Sequence, residues 1–165
     1  MHECSIRPAT MEDMPAVAAI YQHFVTTSTA TLDLEPPEAA EMVRRLSAVQ
    51  DQGLPYLVAE LEGYVVGYCY ASRFRPRDGY RLTVEDSIYV RADCIGYGVG
   101  RRLLQELIAS CQKDGCHQMI AVICGDNPVS VALHASQGFR QAGSIPEAGF
   151  KFGQWVDIAL MQRAL

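Results

Sequence analysis

The stretch that decides the fold runs from Leu82 to Leu104 and reads LTVEDSIYVRADCIGYGVGRRLL. Its first part, Leu82–Val90, is rich in β-branched and aromatic residues and reads as a strand. Its last part opens a helix, because Leu103, Leu104, Leu107, Ile108 and Cys111 recur at the spacing that lines one helical face, and the pattern ends near Gly115. Between them Gly96, Gly98 and Gly100 form a glycine-rich turn. A strand that feeds a helix through such a turn aims backbone N–H groups at whatever lies above the helix N-terminus, which suits phosphate oxygens.

Spacing excludes two phosphate folds. A Walker A loop needs Gly-Lys-Ser/Thr, but Gly98 is followed by Val99 and Gly100 by Arg101. A dinucleotide fingerprint needs Gly or Ala three residues after its second glycine, and that place holds Arg101 on one count and Leu103 on the other. Two readings remain: a pyrophosphate cradle, or glycines that serve only a tight strand-to-helix turn. Arg101 and Arg102 in the first turn repel the positive helix end unless an anion sits there, which favours the cradle.

Working outward, Ser5–Ala9 reads as a short strand. Thr10 offers a hydroxyl cap to a helix from about Met11 to Thr26, and Pro36-Pro37 introduces a second that closes near Gly53. Tyr56–Glu60 and Tyr64–Arg73 are strands around a tight Glu62-Gly63 turn, and the Arg-rich segment Phe74–Arg81 links the second to Leu82–Val90. Beyond the long helix come a strand at Met119–Cys124 and a short helix after Asp126-Asn127-Pro128 that stops at Gly138. Arg140–Gly143 and Trp155–Met161 are the closing strands, joined by a Gly- and Pro-containing excursion at Ser144–Gly153. The order β, two helices, three strands, helix, strand, helix, two strands predicts an α/β fold, a central mixed sheet with helices on both faces.

The chain has 165 residues, the size of one domain, and no repeat or linker divides residues 1–165. Hydrophobic residues make up 49% and charged residues 20%, which excludes a disordered or collagen-like chain. No window is long and apolar enough to cross a membrane, and Met1–Pro8 already carries Glu3 and Arg7, which argues against a secretory signal; a cytoplasmic location is expected. The net charge of −5 disfavours a nucleic-acid partner. Yet the 14 cationic residues are all Arg apart from Lys113 and Lys151, and Arg73, Arg75, Arg77 and Arg81 cluster. Such forks hold a small anion, or they line a solvated loop. The six cysteines form no Cys-x-x-Cys and read as reduced; Cys116-His117 lacks the further ligands zinc requires, so no metal site is expected.

Val90-Arg91 followed by Gly96-x-Gly98-x-Gly100-Arg101-Arg102-Leu103-Leu104 resembles the coenzyme A loop of the GNAT (GCN5-related) N-acetyltransferases. The resemblance extends along the chain to the phosphinothricin and methionine sulfoximine acetyltransferase branch, through Ser28-Thr29-Ala30-Thr31, Arg75-Pro76-Arg77, Tyr80-Arg81-x-Thr83-Val84-Glu85-Asp86-Ser87, Gly125-Asp126-Asn127, Ala132-Leu133-His134 and Phe150-Lys151-Phe152-Gly153-x-Trp155. It implies the acyl-CoA N-acyltransferase fold, acetyl-CoA as cosubstrate and a homodimer. Ile95 stands where the family signature has Arg or Gln, and Tyr97 where relatives often carry Lys, so two side-chain contacts to coenzyme are missing.

For the site, the resemblance assigns coenzyme contacts to the backbone of Ile88, Tyr89 and Val90 and to the loop Gly96, Tyr97, Gly98, Val99, Gly100 and Arg101. Asn127 and Ser136 complete that side; Asn127 also suits an N-cap before Pro128. Glu85 is the candidate base, since alternation along the strand puts it on the face opposite Asp86; its alternative role is an ion pair with a nearby Arg. His134 is either the acid that protonates the leaving thiolate or a satisfied helix histidine. Arg75, Arg77, Asp78, Gly79 and Tyr80 would bind a small anionic amine acceptor, with Thr29–Leu32 opposite. Phe152 and Trp155 are expected in the core or at a dimer interface. The expected function is N-acetyl transfer from acetyl-CoA to an amino-acid-like amine by direct attack in a ternary complex. The alternatives are acetylation of a peptide or protein, and a non-catalytic acetyl-CoA sensor.

Overall fold

The computed structural model describes residues 4–165, so Glu3 lies outside the described residues. The elements follow the order expected from the sequence. Strand β1 (Ser5–Pro8) leads to helices α1 (Met14–Thr27) and α2 (Ala39–Asp51), then to strands β2 (Tyr56–Leu61), β3 (Tyr64–Arg73) and β4 (Thr83–Val90). Helix α3 (Val99–Lys113), β5 (Gln118–Cys124), α4 (Pro128–Ser136), β6 (Arg140–Lys151) and β7 (Gln154–Ala164) complete the chain. The start of α1 differs in one respect. A single 3-10 turn at Met11–Asp13 precedes it, opened by a capping box between Thr10 and Asp13, whose carboxylate accepts from Thr10 N at 2.8 Å and from Thr10 Oγ1 at 3.2 Å. Arg7 then ties Asp13 to Glu60 across β1 and β2.

One seven-stranded sheet runs in the order β1-β2-β3-β4-β5-β7-β6. All pairs are antiparallel except β4 with β5. Period-two alternation divides its apolar residues between two cores. On one face Tyr56, Val58 and Tyr68 pack under Val17, Ile20 and Leu46 of α1 and α2. On the other, Leu57, Cys69 and Val84 pack under Leu103, Leu104 and Leu107 of α3.

The parallel pair creates the site. It holds only from Thr83↔Gln118 to Asp86↔Ala121. Beyond that point β4 stays with β3 as far as Val90, while β5 stays with β7 as far as Cys124. The two strands therefore splay, and the side of β4 that would meet β5 has no strand partner over Ser87–Val90 among the described residues.

Two expectations at the C-terminal end are corrected. Ser144–Gly153 is mostly strand, because β6 runs on to Lys151 with register breaks at Gln141/Gly143 and Ile145/Gly149. As the edge strand, β6 tolerates Pro146 in the second break, where Glu147 N–H donates to Asp157 Oδ1 at 2.8 Å. Of the two settings expected for Phe152 and Trp155, core or dimer interface, the core is ruled out: they are 57% and 63% exposed. Trp155 pairs across the hairpin with Phe150, with ring centroids 5.0 Å apart.

Candidate active site

A cleft of about 790 Å³ fills the splay. Its walls are Ser87–Val90 of β4, Val122–Cys124 of β5, the N-terminus of α3, one side of α4, and the segment Thr29–Leu32 that follows α1.

The α3 end is built from backbone. Gly96 and Gly98 have φ of +90° and +80°, the left-handed region that glycine enters without strain. Arg102 N–H closes the first helical bond, onto Gly98 O at 3.1 Å, which leaves the N–H groups of Val99, Gly100 and Arg101 unspent at the positive end of a 15-residue helix. Gly96, Gly98, Gly100 and Arg101 line the cleft. The side chains of Tyr97 and Val99 do not: Tyr97 is 82% exposed and Val99 is buried in the α3 core, so these two offer only main-chain atoms. Ile95, which also lines the cleft, is half exposed.

On the opposite rim Asn127 is the expected N-cap and also faces the cleft. Its Oδ1 accepts from Ser130 N at 3.1 Å, capping α4, and the residue lines the cleft, where its amide nitrogen has no partner among the described residues. Ser136 lines the cleft and donates to Leu133 O at 2.6 Å. Unspent N–H groups at a helix start and an unpaired strand edge beside them fit a diphosphate followed by an amide-bearing arm, the chemistry of coenzyme A.

Glu85 and Asp86 both border this space and differ in state. Asp86 Oδ2 lies 2.8 Å from His134 Nε2, and both side chains are almost wholly buried. His134 Nδ1 donates to Ser130 O at 2.7 Å, so its Nε2 needs a proton of its own to bond the carboxylate. Burial pulls the imidazole pKa down, but the Asp86 hydrogen bond and charge, with the Ser130 carbonyl, raise it above its ordinary value. Both ring nitrogens of His134 are therefore engaged, Nε2 by Asp86 and Nδ1 by the Ser130 carbonyl, and the residue also borders the cleft. Glu85 is half-buried and makes no ion pair among the described residues. Burial pushes its carboxyl up, Asp86 adds to the rise and Arg75 opposes it.

The predicted acceptor residues sit less closely. Arg75, Arg77, Asp78, Gly79 and Tyr80 lie on the exposed β3–β4 loop and are not among the cleft's walls. Arg75 stacks over Phe74, 4.3 Å from its ring centroid, within electrostatic reach of Glu85. Thr29–Leu32 does form a wall, pressed so closely on its neighbours that a Cβ on Gly149 would lie 2.6 Å from Leu32 Cδ1. Sequence reasoning missed the Asp86–His134 pair and the burial of Lys151, which is 2% exposed with Nζ 2.8 Å from Thr31 O. An isolated Lys inside an apolar Phe-Lys-Phe run was the available signal for the second. Among the described residues no group of three His, Cys, Asp or Glu is gathered that could hold a metal ion, and no helix is long and apolar enough to cross a membrane.

A family model described as an acetyltransferase (GNAT) domain matches residues 6–160. Phosphinothricin N-acetyltransferase from Alcaligenes faecalis is 51% identical over 98% of this chain and 83% of its own. L-methionine sulfoximine/L-methionine sulfone acetyltransferase from Pseudomonas paraeruginosa is 42% identical over 96% of this chain and 92% of its own. The crystal structure of a GNAT superfamily phosphinothricin acetyltransferase from Sinorhizobium meliloti in complex with AcCoA superposes with a TM-score of 0.96 at 45% identity, covering 98% of this chain and 88% of that one. With the mixed sheet, the splayed β4 and β5 and the glycine loop in place, the chain belongs to the GNAT family of acetyltransferases.

Proposed function

We propose that residues 1–165 act as one domain that transfers an acetyl group from acetyl-CoA to the amino group of a small amino-acid-like acceptor of the phosphinothricin or methionine sulfoximine type. The observation that carries this reading is Glu85: a carboxyl without an ion pair among the described residues, raised by burial, on the cleft wall next to the unpaired edge of β4. Relatives named for these two acceptors support the choice of acceptor.

Acetyl-CoA supplies a thioester whose C–S bond breaks as the new C–N bond forms; the sulfur leaves as a thiolate that takes a proton from solvent, and the proton Glu85 accepts is returned to solvent. The chain's part is to bind and to move a proton. The N–H groups of Val99, Gly100 and Arg101 hold the diphosphate, with Gly96, Tyr97 and Gly98 shaping the loop. Ile88, Tyr89 and Val90 offer main-chain groups to the arm as a neighbouring strand would, and Asn127 and Ser136 contact coenzyme from α4. Glu85 takes the proton that the amine sheds as it attacks directly in the ternary complex. An α-amino group with a pKa of about 8 is already partly neutral near neutral pH, so a carboxylate suffices as base, directly or through water. Arg75 and Arg77 attract the acceptor's anionic groups, with Asp78, Gly79 and Tyr80 along its approach. The half-buried thiol of Cys124 has its pKa raised by burial, stays protonated and takes no part.

The reading includes a cytoplasmic detoxifying role and a homodimer in which the exposed Phe150 and Trp155 pair is covered. The test is free-thiol release from acetyl-CoA with phosphinothricin, methionine sulfoximine, free amino acids and a short peptide as acceptors. Thiol release that depends on methionine sulfoximine or phosphinothricin, with the N-acetyl product identified by mass, is expected. Turnover with the peptide alone contradicts the small-acceptor assignment, and coenzyme binding without turnover on any acceptor contradicts the enzymatic one.

A further inference from the structure

We infer that Lys151 is a positioning residue that fixes the Thr29–Leu32 wall of the cleft and thereby sets acceptor affinity, an inference that rests on the cleft being the acetyl-transfer site. The wall belongs to the irregular segment between α1 and α2, and such segments ordinarily run over the surface with their polar groups in water. Here Thr31 is 6% exposed, and each of its polar side-chain and carbonyl atoms is held from a different part of the fold. Its hydroxyl bonds Tyr21 OH of α1 at 2.7 Å and accepts from Asp33 N at 3.1 Å. Its carbonyl accepts from Lys151 Nζ of β6 at 2.8 Å, across 120 residues of sequence.

The lysine is costly where it stands. Burial lowers its pKa, against the opposing charge of Asp33. No salt bridge to Lys151 relieves it among the described residues: Asp33 is engaged by Tyr21 OH at 2.5 Å and by Arg45 Nη1 at 3.1 Å, and the ammonium is left with the Thr31 carbonyl and the face of Phe152, 5.0 Å from its centroid. A buried cation whose one hydrogen bond goes to the backbone of a cleft wall adds little net stability; what it fixes is the wall's place. The Leu32–Gly149 contact lies two residues before Lys151 on the same strand, so β6 grips the wall at two points.

The test is Lys151→Met, which keeps an unbranched side chain that fits an apolar site and removes the donor, with Tyr21→Phe as a second variant that releases Thr31 from the α1 side. Steady-state kinetics with methionine sulfoximine, acetyl-CoA binding and amide hydrogen exchange are measured on each. Lys151→Met should raise acceptor KM about tenfold while acetyl-CoA affinity stays within about twofold of wild type. Exchange should quicken at Ala30–Asp33 and remain unchanged in α3, and Tyr21→Phe should move the same quantities less. Unchanged KM and unchanged exchange at Ala30–Asp33 overturn the inference, as does faster exchange throughout the chain, which is the mark of a merely structural lysine. If the wild-type protein turns over no acceptor, the proposed function fails separately, and exchange at Ala30–Asp33 still decides for or against the clamp.

Discussion

The two faces of β4 carry neighbouring carboxylates with opposite fates. On the face toward α3 and α4, Asp86 Oδ2 is bound to the ring of His134, whose other nitrogen is held by the Ser130 carbonyl. On the other face Glu85 borders the same cleft and makes no salt bridge among the described residues. Both are partly or wholly out of water, so burial alone does not separate a structural carboxylate from a reactive one. The presence of a committed partner does: a paired carboxylate has its proton affinity fixed by that partner, whereas one that is half-buried and unpaired can gain and lose a proton at modest cost. The Asp86 charge is itself part of what raises Glu85, so the paired carboxylate helps tune the unpaired one.

The largest effect expected from this contrast is on turnover. Glu85→Gln should lower kcat by about 10²–10⁴-fold, the ordinary worth of a positioned base, with acetyl-CoA affinity unchanged; stopped-time thiol assays and calorimetric titration check both halves. The paired face should answer in stability instead. Asp86→Ala strands a buried imidazole and should cost about 3–5 kcal/mol in chemical denaturation, whereas Asp86→Leu with His134→Phe should cost much less. Because the folded His134 pKa is raised above its ordinary 6.5, its contribution is fully present below that value and is lost as pH rises through the folded pKa. Wild-type melting temperature should carry that decline, and the double variant should not.

Smaller effects concern binding. Gly98→Val places a β-branched residue at φ +80°, where a non-glycine residue costs about 1–2 kcal/mol, and should weaken acetyl-CoA about tenfold with acceptor KM little changed. Gly149→Ala pushes on Leu32 at the acceptor wall and should raise acceptor KM about fivefold, coenzyme affinity being spared. Exchange of these two outcomes, with Gly98 governing acceptor and Gly149 governing coenzyme, would break the assignment of the cleft's two ends.

The element order was legible in the sequence because periodicity and glycine punctuation are local. The Glu62-Gly63 hairpin turn, with φ of 53° and 83°, and the Gly96–Gly100 loop are both short-range chemistry. Alternation along Thr83–Val90 likewise put Glu85 and Asp86 on opposite faces without any knowledge of their partners. What was not legible acts across distance. His134 meets Asp86 over 48 residues and Lys151 meets Thr31 over 120, and no periodicity announces either contact. Pro146 and the glycines around it read as a loop because their local signal is that of a turn; only an edge position in the sheet lets them remain strand.

The most direct test of the contrast between the two carboxylates is the pH dependence of kcat/KM for wild type and Glu85→Gln with the same acceptor. The amine's own ionisation contributes equally to both profiles and cancels in their ratio. The account predicts that the ratio of wild-type to variant activity falls as pH drops through a value above the ordinary glutamate range, where Glu85 takes up its proton and ceases to act as base. A ratio that stays flat across that range, or a variant as active as wild type, contradicts it.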